Sequence, residues 1–328
     1  MNIGVIGLGK IAEKHINAYK KLDDLEIFVN DKDKTKEKLA RTYGVKWVEH
    51  QRDIINDDSI NAIDVSVPTE HHYEIISKAL EHGKHVFCEK PLTLNLGEAQ
   101  DIKEKAKKLN KLVIVGYLYR FHPGFQLLKK VVEEDIIGEP YYAIFRLGGR
   151  GSHKIWKHKR GKGGGVVGEM LVHMLDLIMW YFDKVKRIDV LHKEVLLKKR
   201  NIENKLRRVD ADDVILLKIE NNKMKIVCQC DLVSPSYMNY VEIHGTNGSV
   251  CTSILDFFPT VLYCKEPKGI YDRGHNFFNF PKVDLFYEEL KFFLDSVRKN
   301  GDENKTDSID QSIEMLKLLE KASLLYEF

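Results

Sequence analysis

The chain of 328 residues is long enough for two domains, and its 43% hydrophobic and 31% charged residues are typical of a soluble globular protein. A net charge of +3 gives no indication of nucleic-acid binding, and no apolar run approaches the roughly 20 residues that a membrane span needs. The five cysteines are widely spaced without a Cys-x-x-Cys pair. This argues against disulfides and a metal site and favours a reducing, cytoplasmic location.

The predicted secondary structure changes character near residue 120. Before it, strands and helices alternate, which predicts a parallel sheet with helices on both faces. After it, strand-like runs dominate, which predicts a mixed or antiparallel sheet. We expect an α/β fold with a first domain over residues 1–120 and a second, α+β domain over residues 121–328. In chain order, the predicted helices cover residues 10–22, 73–82, 96–109, 125–134, 168–182, 284–299 and 308–326, and the predicted strands after the N-terminal one cover residues 26–30, 62–67, 85–88, 112–115, 140–147, 187–197, 214–220, 224–232, 240–244 and 261–265.

A Gly-x-Gly-x-x-Ala turn follows the N-terminal strand and opens the first helix. Gly7 permits the tight turn, and Gly9 lets the backbone approach a pyrophosphate. The N-terminus of the helix presents free N–H groups and the positive end of its dipole to phosphate oxygens. The turn therefore predicts a dinucleotide site that includes Gly7, Gly9, Lys10 and Ile11, the alternative being a structural βαβ unit without a cofactor.

Asp31 directly follows the second predicted strand. A carboxylate at this position accepts hydrogen bonds from ribose hydroxyls, which favours NAD over NADP. Lys32 and Lys34 lie nearby and would tolerate the 2′-phosphate of NADP. NAD is the expected cofactor, and NADP is the alternative.

A Glu-Lys-Pro element follows the strand predicted over residues 85–88. Open α/β folds bind ligands at this end of their strands. Pro91 disfavours helical geometry at Lys90, so the lysine is held extended and can direct its ammonium at a ligand oxygen. The alternative is an ordinary surface Lys-Pro turn.

The helix predicted after a run of three glycines carries Glu169, His173 and Asp176. Spacings of four and three residues would place both carboxylates beside the imidazole. Such an imidazole is held in one orientation and suits a group that takes a proton from an alcohol and returns it to a ketone. The alternative is an amphipathic helix with solvated charges.

Together these motifs resemble the Gfo/Idh/MocA oxidoreductases. The resemblance runs in order through essentially the whole chain, and Glu-Lys-Pro within Gly-Lys-His-Val-x-x-Glu-Lys-Pro is its most specific part. It implies a Rossmann domain followed by an α/β domain with a large open sheet. It also implies NAD(P)-dependent oxidation or reduction of a carbohydrate-type alcohol. The residues that carry the resemblance are Gly7 to Ala12, Pro68-Thr69-Glu70-His71-His72, Gly83 to Leu92, Arg120-Phe121-His122-Pro123 and Gly163 to His173.

The resemblance also implies roles for individual residues. Lys90 corresponds to the active-site lysine and His173 to the catalytic histidine, while Glu169 stands where members usually carry aspartate. Lys90 and His173 are expected to act on one alcohol oxygen beside the nicotinamide ring, with His173 as base and Lys90 stabilising negative charge. The remaining cofactor contacts are assigned to Pro68, Thr69, His72 and Glu89.

Two further features bear on the substrate. Arg120 is expected either to bind substrate or to bridge the domains. The segment Ser152–Lys162 is the most basic of the chain and contains Trp156. It would receive an anionic substrate such as a nucleotide sugar, or it is a solvated loop. Expected substrate contacts are Lys90, Arg120, Trp156, Glu169 and His173.

The strand over residues 224–232 has one apolar face and one mixed face, with Lys225, Val227, Gln229 and Asp231 on the mixed side. Such a face suits a wet protein–protein interface, so a homodimer or homotetramer through this sheet is expected. Neither a nucleic acid nor a membrane is expected as a partner.

The predicted activity is that of an NAD(P)-dependent dehydrogenase for a hydroxyl or ketone of a sugar, inositol or nucleotide sugar. Two alternatives remain. One is a redox-assisted glycosidase that retains NAD, and the other is a regulatory protein that binds NAD without catalysis. The intact pair of Lys90 and His173 argues against the regulatory protein, which has no use for a proton shuttle.

Overall fold

The computed structural model describes residues 1–152, 154–183, 185–221, 224–299, 307–322 and 324. The described chain divides into two compact units. The first comprises Met1–Leu118 with Val283–Leu316, and the second comprises Tyr119–Lys282 with the end of the described chain from Lys317. The division at residue 118 lies close to the expected boundary. The segment Val283–Leu316, however, groups with the first unit and not with the second.

The first unit contains a parallel sheet covered by helices, as the sequence predicted. Within the described residues six strands pair in the order β3-β2-β1-β4-β5-β6, which is the doubly wound order of dinucleotide-binding domains. The order reverses beside β1, so the crevice expected for a ligand lies at the carboxyl ends of β1 and β4. The strands are β1 (Asn2–Ile6), β2 (Glu26–Asn30), β3 (Lys46–Trp47), β4 (Ala62–Val65), β5 (His85–Glu89) and β6 (Val113–Gly116), and the helices are α1 (Lys10–Tyr19), α2 (Glu37–Tyr43), α3 (Gln51–Asn56), α4 (His72–Glu81) and α5 (Leu96–Lys108).

Burial explains why these short segments form central strands. Ile3, Val5, Ile63 and Val65 are fully buried. Strands covered by helices on both faces are apolar along most of their length, which is the pattern in β1 after Asn2 and in β4 apart from the buried Asp64. The sequence did not predict α2, α3 and β3, which are short elements with little apolar periodicity of their own.

The second unit carries the predicted mixed sheet. In the described residues eight strands pair in the order β16-β15-β14-β13-β7-β12-β11-β8, and every pair is antiparallel except β7 with β12. Two further strands, β9 and β10, form a separate hairpin. The elements are α6 (Pro123–Glu133), β7 (Pro140–Gly148), α7 (Val172–Phe182), β8 (Arg187–Glu194), β9 (Lys199–Ile202), β10 (Lys205–Arg208), β11 (Val214–Asn221), β12 (Met224–Asp231), β13 (Met238–Gly245), β14 (Gly248–Thr252), β15 (Thr260–Cys264) and β16 (Gly274–Phe278).

One face of this sheet is covered by helices. Helix α6 contacts β14 and α7 contacts β7. On β12, Cys228 and Cys230 are fully buried, whereas Lys225 and Gln229 are exposed on the other face. Asp231 departs from the expected pattern because it is buried and pairs with Arg146. It thus lies on the same face as Gln229 and Arg146 but is covered by neighbouring side chains.

Two helices close the described chain, α8 (Leu285–Arg298) and α9 (Asp307–Lys321). Residues 323, 325 and 326 of the predicted last helix lie outside the described residues. Leu290, Phe293 and Leu294 of α8 are fully buried in the same core as β1 and β5 of the first unit. The sequence predicted this helix but not which sheet it covers. In the described chain, no helix is both long enough and apolar enough to span a bilayer.

Candidate active site

The glycine turn fits a dinucleotide. Gly7 has a φ of +93°, and a Cβ there would lie 2.6 Å from the Ser66 carbonyl oxygen, so a larger residue is excluded. A Cβ added at Gly9 would meet no described atom within 4 Å, which leaves room for a ligand to approach the backbone. Helix α1 begins at Lys10, and its N-cap Gly9 contributes no capping side chain. The first N–H groups of α1 are therefore available to phosphate oxygens.

Asp31 ties this turn to the end of β2. Its Oδ2 accepts hydrogen bonds from the Leu8 N–H at 2.7 Å and from the Lys36 ammonium at 2.6 Å. Its Oδ1 accepts from the Asp33 N–H at 2.8 Å. The carboxylate thus positions the glycine turn. It also lies at the end of β2, where the ribose of the cofactor is expected. The sequence did not indicate Lys36, and Lys34, which it did single out, pairs with Glu49 instead.

Replacing Asp31 with asparagine is expected to weaken the preference for NAD. The neutral amide keeps the shape but loses the charged acceptor, which contributes about 1.5–3 kcal/mol, so the ratio of kcat/KM for NAD to that for NADP should fall roughly 10- to 100-fold. Steady-state kinetics with both cofactors measure this ratio. Asp33→Asn is the matched control, since Asp33 caps a turn through Thr35. An unchanged ratio in Asp31→Asn would show that Asp31 does not select the cofactor.

Glu89 and Lys90 lie at the carboxyl edge of the same sheet. Glu89 is the last residue of β5, its backbone pairs with Gly116 of β6, and its side chain is 16% exposed. Burial would raise the pKa of the Glu89 carboxyl, but the neighbouring His15 and Lys90 lower it below its usual value. Glu89 is therefore ionised at neutral pH, and its charge is coupled to the ammonium of Lys90.

His72 is buried beside the Glu-Lys-Pro element. Its side chain is only 1% exposed, with Nε2 at 2.9 Å from the Val67 carbonyl oxygen and Nδ1 at 3.0 Å from that of Pro91. Burial lowers the pKa of the imidazole. Through these contacts the ring links the backbone before Pro68 to the Glu-Lys-Pro element. The expected contact of His72 with the cofactor stays a prediction.

His173 lies in the second unit, near the start of α7. The preceding residues 167–171 form a π-helix, so the α-helical spacing assumed for Glu169 and His173 does not hold across this segment. Oε2 of Glu169 accepts a hydrogen bond from the Lys157 ammonium at 2.7 Å. The imidazole of His173 packs against the ring of Tyr119, with centroids 4.8 Å apart. The hydroxyl of Tyr119 bonds to that of Tyr237, and the sequence motifs indicated neither tyrosine.

Arg120 and Asp176 form a buried ion pair within the second unit. The guanidinium donates through Nε at 3.0 Å and Nη2 at 2.6 Å to the two carboxylate oxygens. Burial raises the pKa of Asp176, and Arg120 opposes that shift. Asp176 thus has a partner in Arg120, and this ion pair engages two of the Arg120 donors, while the contact of Arg120 with substrate stays a prediction.

The basic segment is largely neutralised by nearby acids. Lys154 lies 3.5 Å from Glu203, Lys159 lies 3.1 Å from Asp210, and Arg160 lies 3.5 Å from Asp212. Lys157, besides contacting Glu169, has its ammonium 5.2 Å from the ring centroid of Trp156. His153 of this segment lies outside the described residues. The charge that the sequence shows here is therefore balanced locally.

A doubly wound sheet with a Gly-x-Gly turn after its first strand is the architecture of a dinucleotide-binding domain, and here a helix-backed mixed sheet follows it along the chain. The family models identify it further. Residues 1–117 match the GFO_IDH_MocA model, described as an oxidoreductase family with an NAD-binding Rossmann fold, and residues 125–251 match the GFO/IDH/MocA C-terminal domain. The chain belongs to the GFO/IDH/MocA family.

Individual relatives agree with this assignment. The chain is 26% identical over 309 residues to myo-inositol 2-dehydrogenase of Thermotoga maritima, covering 91% of this chain and 88% of that protein. It matches the fold of an NAD-binding oxidoreductase from Klebsiella pneumoniae with a TM-score of 0.86 at 20% identity, covering 99% and 97% of the two chains. Levoglucosan dehydrogenase in complex with NADH matches with a TM-score of 0.84 at 21% identity, covering 98% and 97%. The protein is an NAD(P)-dependent dehydrogenase with a Rossmann domain.

Proposed function

We propose that this protein oxidises a secondary hydroxyl of a neutral sugar or inositol, or reduces the corresponding ketone, with NAD as the preferred cofactor. The observation that carries the proposal is the combination of the open glycine turn with Lys90 at the edge of the same sheet. Relatives named as inositol and levoglucosan dehydrogenases support the substrate class. The expected glycine, Asp31 and Glu89 positions support binding of the dinucleotide.

The proposed reaction uses two side chains, His173 and Lys90, in different roles. When bound, nicotinamide supplies the hydride acceptor or donor. His173 takes the proton from the substrate hydroxyl during oxidation and returns it during reduction. Lys90 donates a hydrogen bond to the same oxygen and stabilises the negative charge that develops on it. Glu169, held by Lys157, and Trp156 are proposed to position the substrate.

Local charge balance favours a neutral substrate. A site for a sugar phosphate or nucleotide sugar needs cations whose charge is available to the anion. Lys159 and Arg160 of the basic segment instead face Asp210 and Asp212. The cations of the basic segment therefore form ion pairs with acidic residues of the protein. A neutral polyol is the better substrate, because it needs no cation to balance its charge.

A panel of inositols, neutral sugars, sugar phosphates and nucleotide sugars tests the proposal. With NAD or NADP, nicotinamide absorbance should report turnover of at least one neutral polyol. A matched variant, Lys159→Gln with Arg160→Gln, should leave the selectivity between neutral and phosphorylated sugars unchanged. Turnover of anionic sugars alone, lost in that variant, would contradict the neutral substrate. Failure of every compound with both cofactors would contradict the dehydrogenase itself.

We also propose that two copies associate through the open face of the mixed sheet. Ile144 of β7 pairs directly with Val227 of β12, and both point away from the buried face that carries Phe145 and Cys228. Phe277 of the edge strand is 70% exposed. Apolar side chains in the centre of an open face support a self-association surface.

Ile144→Lys is expected to shift the assembly to the monomer, because a charge in the centre of a buried interface has no partner. Light scattering after size exclusion measures the mass at matched concentrations. Leu206→Lys is the control, since Leu206 is 71% exposed on the separate hairpin. A wild-type monomer, or an Ile144→Lys oligomer as stable as the wild type, would remove the proposal.

A further inference from the structure

A buried row of charges runs through the first unit to the edge of its sheet. His15 of α1 is fully buried, and its Nδ1 lies 2.8 Å from Oδ2 of Asp64 on β4. Its Nε2 lies 3.3 Å from Oε1 of Glu89 at the end of β5. The proposed chemistry uses neither His15 nor Asp64, although Glu89 directly precedes Lys90.

The surrounding side chains fix the imidazole between the two carboxylates. Asp64 also accepts hydrogen bonds from the Tyr19 hydroxyl at 3.0 Å and from the Ser66 hydroxyl at 2.7 Å. The centroid of the His15 ring lies 5.4 Å from that of Phe87, in an edge-on arrangement. It lies 5.6 Å from that of Phe286 of α8, with the two rings tilted by 49°. Two further charged groups face this cluster: Lys14, whose ammonium lies over the Phe286 ring, and Glu289 of α8, which interacts electrostatically with Tyr19.

The two contacts favour a charged imidazole. Nδ1 lies within hydrogen-bond distance of Asp64, and Nε2 lies 3.3 Å from a Glu89 oxygen without the alignment of a hydrogen bond, so two carboxylates act on the same ring. Burial alone would lower the pKa of His15, but Asp64 and Glu89 together raise it to about 10. His15 is therefore an imidazolium at neutral pH, and the charges along the row alternate from Asp64 through His15 and Glu89 to Lys90.

This arrangement affects Glu89 most directly. A carboxylate with little exposure favours its neutral form unless a cation or hydrogen-bond donor stabilises the charge. The imidazolium supplies that stabilisation from the interior, on the side away from solvent. If His15 were neutral, protonated Glu89 would no longer attract the ammonium of Lys90.

We propose that His15 is a positioning residue for the reaction: its imidazolium, anchored by Asp64, keeps the Glu89 carboxylate ionised and in place, and Glu89 in turn orients Lys90. This inference rests on the role proposed for Lys90. A network that served only to fasten α1 to the sheet would contribute to stability and leave the chemistry unchanged.

The charge of His15 is tested without turnover. Imidazole NMR signals of the apoprotein identify His15 by the signal missing from His15→Gln. That signal should stay at its protonated position across the neutral range, where an ordinary histidine titrates with a pKa of about 6.5. Titration near the ordinary value would overturn the proposal whether or not a substrate is known.

The stability of the folded protein should depend on the protonation of His15. Because folding raises the pKa of His15, its contribution is complete below the ordinary pKa and is lost as the pH rises through about 10. The melting temperature of the wild type should therefore approach that of His15→Gln on alkaline titration. A difference between the two that does not change with pH would contradict a buried imidazolium.

Kinetic measurements distinguish a role of His15 in positioning Lys90 from a purely structural role in attaching α1 to the sheet. His15→Gln should lower kcat roughly 10- to 100-fold, as expected for a misplaced catalytic group, with the NADH dissociation constant changed less than about threefold. The double variant with Glu89→Gln should be no slower than Glu89→Gln alone, because His15 acts through Glu89. Tyr19→Phe is the control, since it loosens Asp64 but keeps the contact of His15 with Glu89.

Three results would overturn the positioning role. They are an unchanged kcat in His15→Gln, a loss in the double variant equal to the product of the single losses, or a loss in Tyr19→Phe as large as in His15→Gln. The wild type could also be inactive while its His15 signal stays at the protonated position across the neutral range. That outcome would count against the proposed function and not against the charge of His15.

Discussion

His173→Ala will lower kcat by about 100- to 10,000-fold, the range expected for loss of a general base. The substrate hydroxyl must lose its proton as the carbon–hydrogen bond breaks, and alanine leaves only water to accept it. The residue belongs to the second unit and packs on Tyr119, whereas the glycine turn belongs to the first unit. The dissociation constant for NADH should therefore change less than about twofold.

The pH profile gives this result a second readout. In the wild type, kcat/KM should fall at acidic pH as the imidazole of the base becomes protonated, and this acidic limb should disappear in His173→Ala. His192→Ala is the matched control, because His192 is exposed beside Glu194 on β8. Equal kcat in His173→Ala and wild type, or an unchanged acidic limb, would remove His173 from the mechanism.

Lys90→Met will lower kcat by about 100- to 1,000-fold, as measured for the loss of one donor to a developing oxyanion. Methionine keeps the length of the side chain and removes the ammonium. Lys90→Arg should recover part of the loss, since it restores the charge with a different donor geometry. Initial rates with the substrate found in the panel measure both variants.

Lys78→Met controls for the removal of a lysine, because Lys78 is an exposed residue that pairs with Glu74 on α4. It should remain within about twofold of the wild type. The Lys90 variants should affect kcat more than the KM for NAD, because the interaction strengthens in the transition state. A Lys90→Met enzyme that loses only cofactor affinity would make Lys90 a binding residue without a part in the chemical step.

Most of the first unit could be predicted from local sequence patterns. The apolar strands and the turn at Gly7 and Gly9 are encoded by neighbouring residues, and the structure places them as predicted. Both family models and the dinucleotide fold agree with the resemblance drawn from those motifs. Features set by distant parts of the chain could not be read in this way.

Three particular elements show the difference. The helix α8 is predicted from the sequence, but its packing in the first unit depends on contacts between residues nearly three hundred positions apart. The buried bidentate ion pair of Asp176 with Arg120 joins residues 56 positions apart, so the local spacing around Asp176 could not indicate it. The π-helix before α7 also alters the spacing on which the Glu169 and His173 argument depended.

Lys90 and His173 are proposed to act on one substrate oxygen in a single step, and a double-mutant cycle on kcat tests this proposal most directly. Groups that act as a unit have strongly non-additive losses. We predict that Lys90→Met combined with His173→Ala will be within about tenfold of the slower single variant. A loss equal to the product of the two single losses would show that the residues act independently and would contradict the proposed mechanism.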